Sequence, residues 1–169
     1  KEYQISLPKA VLANNVEKAV EAGSTIGYPL AMKVVSPDII HKSDAGGIRL
    51  GLNNQEDMKT AFKEIVKNAE KVTATDRILG ALISPMVAKG QECIIGMIRD
   101  AQFGPVIMFG LGGIFVEVLK DISFRVAPLA AEDIDEMIKE IKGYKILTGI
   151  RGEKPRDIEA IKDILARLS

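Results

Sequence analysis

Residues Gly27–Leu52, GYPLAMKVVSPDIIHKSDAGGIRLGL, set two strand-like runs around one short polar loop, and that loop carries the only histidine of the chain, His41. The runs LAMKVV and IRLGL are rich in aliphatic and β-branched residues, and Gly27-Tyr28-Pro29 stops any helix that precedes them. Lys33 lies in the first run, Arg49 stands at the start of the second, and Gly46-Gly47 comes just before it. A lone imidazole between cations and a glycine pair points to phosphate chemistry rather than to core packing. Imidazole is nucleophilic and largely neutral near pH 7, with a reference pKa of about 6.5, so His41 can accept a phosphoryl group and pass it on. Lys33, Lys42 and Arg49 can neutralise phosphate oxygens, and Gly46 and Gly47 let backbone N–H groups come close to them. Asp38 or Asp44 can orient the ring. The opposing reading is a surface-loop histidine bonded to its own turn.

Composition narrows the alternatives. The chain has 169 residues, 47% of them apolar and 27% charged, enough for a buried core in one or two modest domains. Basic and acidic residues balance at 23 each, and there is no Trp, so neither a basic field nor a stacking surface recruits nucleic acid. The single cysteine, Cys93, excludes an internal disulfide and a cysteine-based zinc site, and it sits in the apolar run GQECIIGM as a small hydrophobe. The longest uncharged run, 101–116, is broken by glycines and a proline and is shorter than the roughly 20 residues a spanning helix needs. No leader-like segment is apparent, and the expected location is cytoplasmic.

Helical and strand patterns alternate along the chain. Lys9–Leu12 is a short strand candidate, and Asn14 or Asn15 caps a helix over Val16–Ile26. Leu30–Val35 and Ile48–Leu52 are strands, and Asn53 or Asn54 begins the strongest helix, to about Lys71. Leu79–Met86, Glu92–Arg99 and Val106–Phe109 form a series of neighbouring strands suited to one antiparallel sheet with helices on one face. A strand at Ser123–Ala127 and helices at Ala131–Lys142 and Arg156–Leu168 complete the reading. The pattern alone gives an α+β phosphate-handling domain.

Four further features bear on chemistry. Lys33 interrupts an apolar run, so it either reaches a cleft or decorates an edge strand. Glu92 interrupts another, and its carboxylate can accept from a ribose or simply face water. Ser84-Pro85-Met86-Val87 resembles a hinge whose backbone can meet an adenine edge, and Pro85 argues against a central strand. Gly110-Leu111-Gly112-Gly113 is either an anion nest or a tight turn, with no P-loop or dinucleotide pattern, and Glu117 and Asp121 behind it are weak metal candidates.

Three stretches together resemble one family: YPLAMKVVSPDIIHKSDAGGIRLGL, then ISPMVAKGQECIIGMIRDAQFGPVIMFGLGGIFVEVLKDISFRVAPL, then EIKGYKILTGIRG. They look like the ATP-grasp nucleotide subunit of ADP-forming acetyl-CoA synthetases, relatives of the succinyl-CoA synthetase β subunit. The resemblance implies two lobes of antiparallel sheet with flanking helices, about residues 9–86 and 87–169, in a fold truncated at both ends. It implies a carbon–sulfur ligase of the acetate–CoA ligase (ADP-forming) type: acyl-CoA, ADP and phosphate give the acid, CoA and ATP. His41 would be the phosphohistidine that relays phosphate to ADP. Lys33 would contact nucleotide phosphates, Glu92 the ribose, and Ser84, Met86 and Val87 the adenine, with Gly46, Gly47 and Arg49 also at the nucleotide. The implied cofactors are ATP/ADP and Mg2+, whose ligands would lie on an Asn-Pro strand pair and a later Asp that this sequence does not contain. The implied partner is a CoA-binding α subunit or domain carrying a first phosphohistidine, in a hetero-oligomer. The alternative is a regulatory module fused to a protein acetyltransferase.

Overall fold

Alternate residues of LAMKVV part to opposite sides of a strand, and that parting builds the first half of the molecule. A computed structural model describes residues 3–150 and 152–169, and of Ile114 the backbone only. The chain divides into two compact units, Leu7–Ala88 and Lys89–Ser169, the second taking in Lys1–Ser6.

In Leu7–Ala88 the elements run β1 (Val11–Ala13), α1 (Val16–Ile26), β2 (Leu30–Val35), β3 (Ile48–Leu52), α2 (Gln55–Ala69) and β4 (Gly80–Pro85), with a 3-10 turn at Thr75–Arg77. The four strands form an antiparallel sheet in the order β1-β4-β2-β3. Asn15 and Asn54 cap α1 and α2, each side chain accepting from the backbone N–H three residues on, of Lys18 and Asp57. Leu30, Met32, Ala81 and Ile83 are buried on one sheet face against Ala19 and Ala22 of α1 and Met58, Phe62 and Ile65 of α2. Each large aliphatic side chain so buried contributes about 1.5–3 kcal/mol. Lys33, between buried Met32 and Val34, points to the other face and is exposed.

In Lys89–Ser169, β5 (Cys93–Asp100), β6 (Gly104–Leu111) and β7 (Ile122–Val126) make an antiparallel three-stranded sheet in sequence order. Asp100 closes the β5–β6 hairpin by accepting from Gln102 and Phe103 N–H at 2.8 and 3.0 Å. Those bonds hold its carboxyl below the usual range. Among the described residues this unit also carries four helices, α3 (Ile114–Glu117), α4 (Ala131–Glu140), α5 (Tyr144–Leu147) and α6 (Ile158–Leu168). Ile107, Phe109 and Leu111 of β6 are fully buried and pack with Met137, Ile138, Leu147 and Leu165. Buried Ser123 donates to the Met137 carbonyl at 2.7 Å, tying β7 to α4. No helix among the described residues is long and apolar enough to cross a membrane.

The expected single series of strands from Leu79 to Phe109 does not form. β4 belongs to the first sheet, inserted between β1 and β2, whereas β5 and β6 open the second. Adjacency in sequence misled here because Ala81 and Ile83 find their apolar partners on α1 and α2. Cys93 packs at the edge of the second core, and burial pushes its thiol pKa up. Alkylation of Cys93 in the folded chain is therefore expected to run at least about tenfold slower than in guanidinium. Equal rates, read by mass spectrometry, would contradict the packing.

Candidate functional site

The loop from Ser36 to Gly47 rises from the end of β2 and returns into β3. Its first anchor is apolar: Ile39, 5% exposed, packs with Val34 of β2 and Ala69 of α2. Its second is polar. The Asp38 carboxylate accepts from Arg77 Nη2 at 2.8 Å, Arg77 Nε at 3.0 Å and Thr73 Oγ1 at 2.7 Å. The Arg77 hydrogen bonds, with the Thr73 hydroxyl, lower its pKa from 3.8 to about 2. At the far end the Gly46 carbonyl accepts from Asn68 Nδ2 and Arg49 Nη1, both at 3.2 Å. The exposed His41 stands between these anchors.

One side of His41 faces a hollow of about 470 Å3 lined by Lys33, Val34, Val35, Ile40, His41, Lys42, Ser43, Ile48 and Leu82. Lys33, Ile48 and Leu82 are register partners on β2, β3 and β4, so their side chains rise from one sheet face to form the floor. Lys33 thus sits on an inner strand, which removes the edge-strand reading, and it faces a cavity with the imidazole and a second cation, Lys42. Ser84 pairs with Ala31 and shares that face with Lys33. A smaller hollow, about 390 Å3, is also lined by His41, with Asp38, Asp44, Ile39, Ile40, Ala45 and Val72. Of the two hollows that His41 lines, one also holds Lys33 and Lys42 and the other Asp38 and Asp44.

The structure does not bring every group singled out in the sequence into the hollow that holds Lys33 and Lys42. Arg49 does not join the cationic hollow: its guanidinium donates to Glu64 at 2.9 Å and to the Ile48 and Gly46 carbonyls. The Gly46 and Gly47 amides donate inside the loop to the Ser43 and Lys42 carbonyls, at 3.0 and 2.8 Å. The need for glycine at Gly47 is steric, since a β-carbon there would overlap the Val34 side chain. Asp38 is committed to Arg77 and Thr73 rather than to the imidazole. The Met86 N–H donates to the Pro29 carbonyl at 2.9 Å, and Met86 and Val87 are exposed beyond the end of β4. Pro85 pairs with Leu30 at the end of β4, an inner strand, contrary to its reading as a bar to one.

In the second unit Glu92 is exposed just ahead of β5, and its carbonyl accepts from Gly112 N–H at 2.8 Å. A β-carbon at Gly110 would overlap the Asp121 carbonyl oxygen and one at Gly112 the Glu92 side chain, so both positions call for glycine on steric grounds. Asp121 is 5% exposed, and its two oxygens accept from Lys142 and Gly143 N–H, both at 2.7 Å. It holds backbone, not metal. Among the described residues no group of three or more acidic, histidine or cysteine side chains is placed to bind a cation. The Asp38–Arg77–Thr73 cluster escaped sequence reading, because nothing local links positions 35 or 39 residues apart.

An inner-strand lysine and a histidine loop over an antiparallel sheet, in a chain that carries a second α+β unit, point to a nucleotide-handling class. The ATP-grasp domain model matches residues 1–169, and the chain belongs to that family. Within it the chain groups with the β subunits of ADP-forming acetate–CoA ligases. It is 54% identical over 166 residues to the acetate–CoA ligase (ADP-forming) I subunit beta of Pyrococcus furiosus, covering 98% of this chain and 72% of that subunit. It is 52% identical over 169 residues to the 4-hydroxybutyrate–CoA ligase (ADP-forming) of Nitrosopumilus maritimus, covering all of this chain and 24% of that protein. It also superposes on the dinucleotide-forming acetyl-coenzyme A synthetase 1 of Ca. Korarchaeum cryptofilum, with TM-score 0.93, 48% identity, and coverage of 98% and 72%. That form holds coenzyme A and Ca-AMPCP. Another form of the same enzyme holds coenzyme A and Mg-AMPPCP, its phosphohistidine segment pointing towards the nucleotide binding site (TM-score 0.81, 46% identity, coverage of 98% and 70%). These relatives are named as ligases and synthetases, which does not favour the regulatory-module alternative.

Proposed function

We propose that this chain is the nucleotide-binding, phosphoryl-relaying part of an ADP-forming acyl-CoA synthetase, with His41 as the relay. The observation that carries the reading is the hollow in which the imidazole faces Lys33 and Lys42. A phosphoryl group brought on a partner's phosphohistidine passes to a ring nitrogen of His41, breaking one P–N bond and forming another. A terminal phosphate oxygen of ADP then attacks that phosphorus, the new P–N bond breaks, and ATP leaves with the imidazole restored. Phosphoryl transfer needs positioning and charge neutralisation more than covalent novelty. Lys33 and Lys42 supply positive charge on the flank where the ADP phosphates lie, and Ile48 and Leu82 give that hollow an apolar floor. Ser84, Met86 and Val87 flank the adenine at the end of β4, and Glu92 meets the ribose.

The partner is a CoA-binding α subunit or domain, separate or fused, and the working enzyme is a hetero-oligomer when it is separate. Magnesium bound with the nucleotide would supply charge neutralisation at its phosphates. The carboxylates described here do not fit as its cage, since Asp38 and Asp121 are already committed, so its protein ligands lie elsewhere in the enzyme. Lys33→Ala, in the complete enzyme, is expected to weaken ADP binding at least about tenfold by titration calorimetry. Unchanged affinity would remove Lys33 from the phosphate site.

A further inference from the structure

We propose that Asp38, Arg77 and Thr73 form a positioning latch that fixes the first turn of the His41 loop so that the imidazole stands over the cationic hollow. The inference rests on the relay role proposed for His41 and adds the device that aims it. Asp38 lies three residues before His41 and spends both carboxylate oxygens on the segment that follows α2: Oδ1 on Arg77 Nη2, Oδ2 on Arg77 Nε and Thr73 Oγ1. A two-pronged guanidinium–carboxylate pair fixes direction as well as distance, which a single point contact would not. The neighbouring residue, Ile39, is the buried plug between Val34 and Ala69. Side chains 38 and 39 therefore grip opposite surroundings, one polar and exposed, one apolar and buried, and together they leave the chain little freedom to rotate as it enters position 41.

The His41 ring is exposed, so packing does not hold it. Its aim comes from the backbone, which is tied at Asp38 and Ile39, at the His41 carbonyl that accepts from Ala45 N–H at 3.3 Å, in the turn closed by the Gly46 and Gly47 amides, and at the Gly46 carbonyl. Of these ties the Asp38 latch is the hydrogen-bonded one nearest to His41 that is made by side chains from outside the loop. The pair is half exposed, with 51% of the Arg77 side chain and 39% of the Asp38 side chain accessible, and exposed ion pairs contribute little to global stability. A fork of three hydrogen bonds at such a place is better explained by what it aims than by what it stabilises. Asp38 also stays ionised throughout the neutral range, so the latch does not open with modest changes of pH.

The experiment uses the full-length subunit with its partner and compares Asp38→Asn, Arg77→Gln and the double variant. Each single variant is expected to lower kcat for ATP formation about ten- to a hundredfold, the scale of a misplacement of about 1 Å, while KM for ADP stays within about twofold. The thermal midpoint is expected to move by no more than about 3 °C. Because the two residues act as one device, the double variant loses no more than the worse single. In single-turnover labelling, formation of acid-labile phosphohistidine on the subunit slows in parallel with kcat. Wild-type kcat in both singles overturns the proposal. So do losses that multiply in the double variant, or a loss matched by a fall in thermal midpoint and recovered on cooling. His41→Ala run alongside separates the two readings. If it still makes ATP, the relay itself fails; if it is inactive while the latch variants turn over normally, only the latch fails.

Discussion

Replacing His41 by alanine in the complete enzyme is expected to lower ATP formation by more than about three orders of magnitude, while acyl phosphate formation on the partner continues. Removing a covalent nucleophile deletes a path rather than weakening one, and the remaining groups can position but cannot carry the phosphoryl group. Folding should be untouched, because the ring is exposed and packs against no core. Two measurements separate chemistry from collapse: a coupled ATP assay, and the thermal midpoint of the variant. Radiolabel from the phosphoryl donor should appear on the subunit in the wild type and vanish in the variant. ATP synthesis at the wild-type rate would end the relay account.

The largest expected effect on stability lies at Gly80. Its φ of +130° is a conformation that side chains rarely adopt, and a β-carbon there would overlap the Ala13 carbonyl oxygen. Gly80 begins β4, and β4 is the strand that joins β1 to β2. Gly80→Ala combines backbone strain with a clash against fixed backbone rather than against a side chain that could move aside. The expected cost is at least about 3 kcal/mol, read as a fall in denaturant midpoint at constant slope. A variant of Gly51, where φ is +69° and a β-carbon would meet nothing within 4 Å, isolates the strain alone and should cost less. Equal losses at the two sites would show that the Ala13 contact adds nothing.

Much of the local structure was legible from periodicity. The helix Val16–Ile26 and the strands Leu30–Val35 and Ile48–Leu52 have the bounds their patterns predict, since each carries an unbroken period between clear stops. The long helix after Asn54 ends at Ala69, close to expectation. The four-residue helices α3 and α5 left no signal, because so few residues show no period and hold their shape through neighbours such as buried Leu147. The edge-or-inner question at Lys33 was open in the sequence for a related reason. A lysine flanked by buried residues reads alike on either kind of strand, and only the pairing of β2 with both β3 and β4 decides it.

Sequence by itself determined which reactive groups stand close together along the chain: a single imidazole, with lysines in the strand before it and in its own loop, between two strands. Tertiary structure decided which charges are available to that chemistry. Arg49 is only eight residues from His41, yet docking of α2 brings Glu64 to it, and the Gly46 carbonyl of the loop accepts from the same guanidinium. Asp38 is closer still, yet Arg77, 39 residues on, takes it instead. A charged side chain answers to whatever partner lies within hydrogen-bond reach, and that distance is set by how helices pack on sheets, not by separation along the chain.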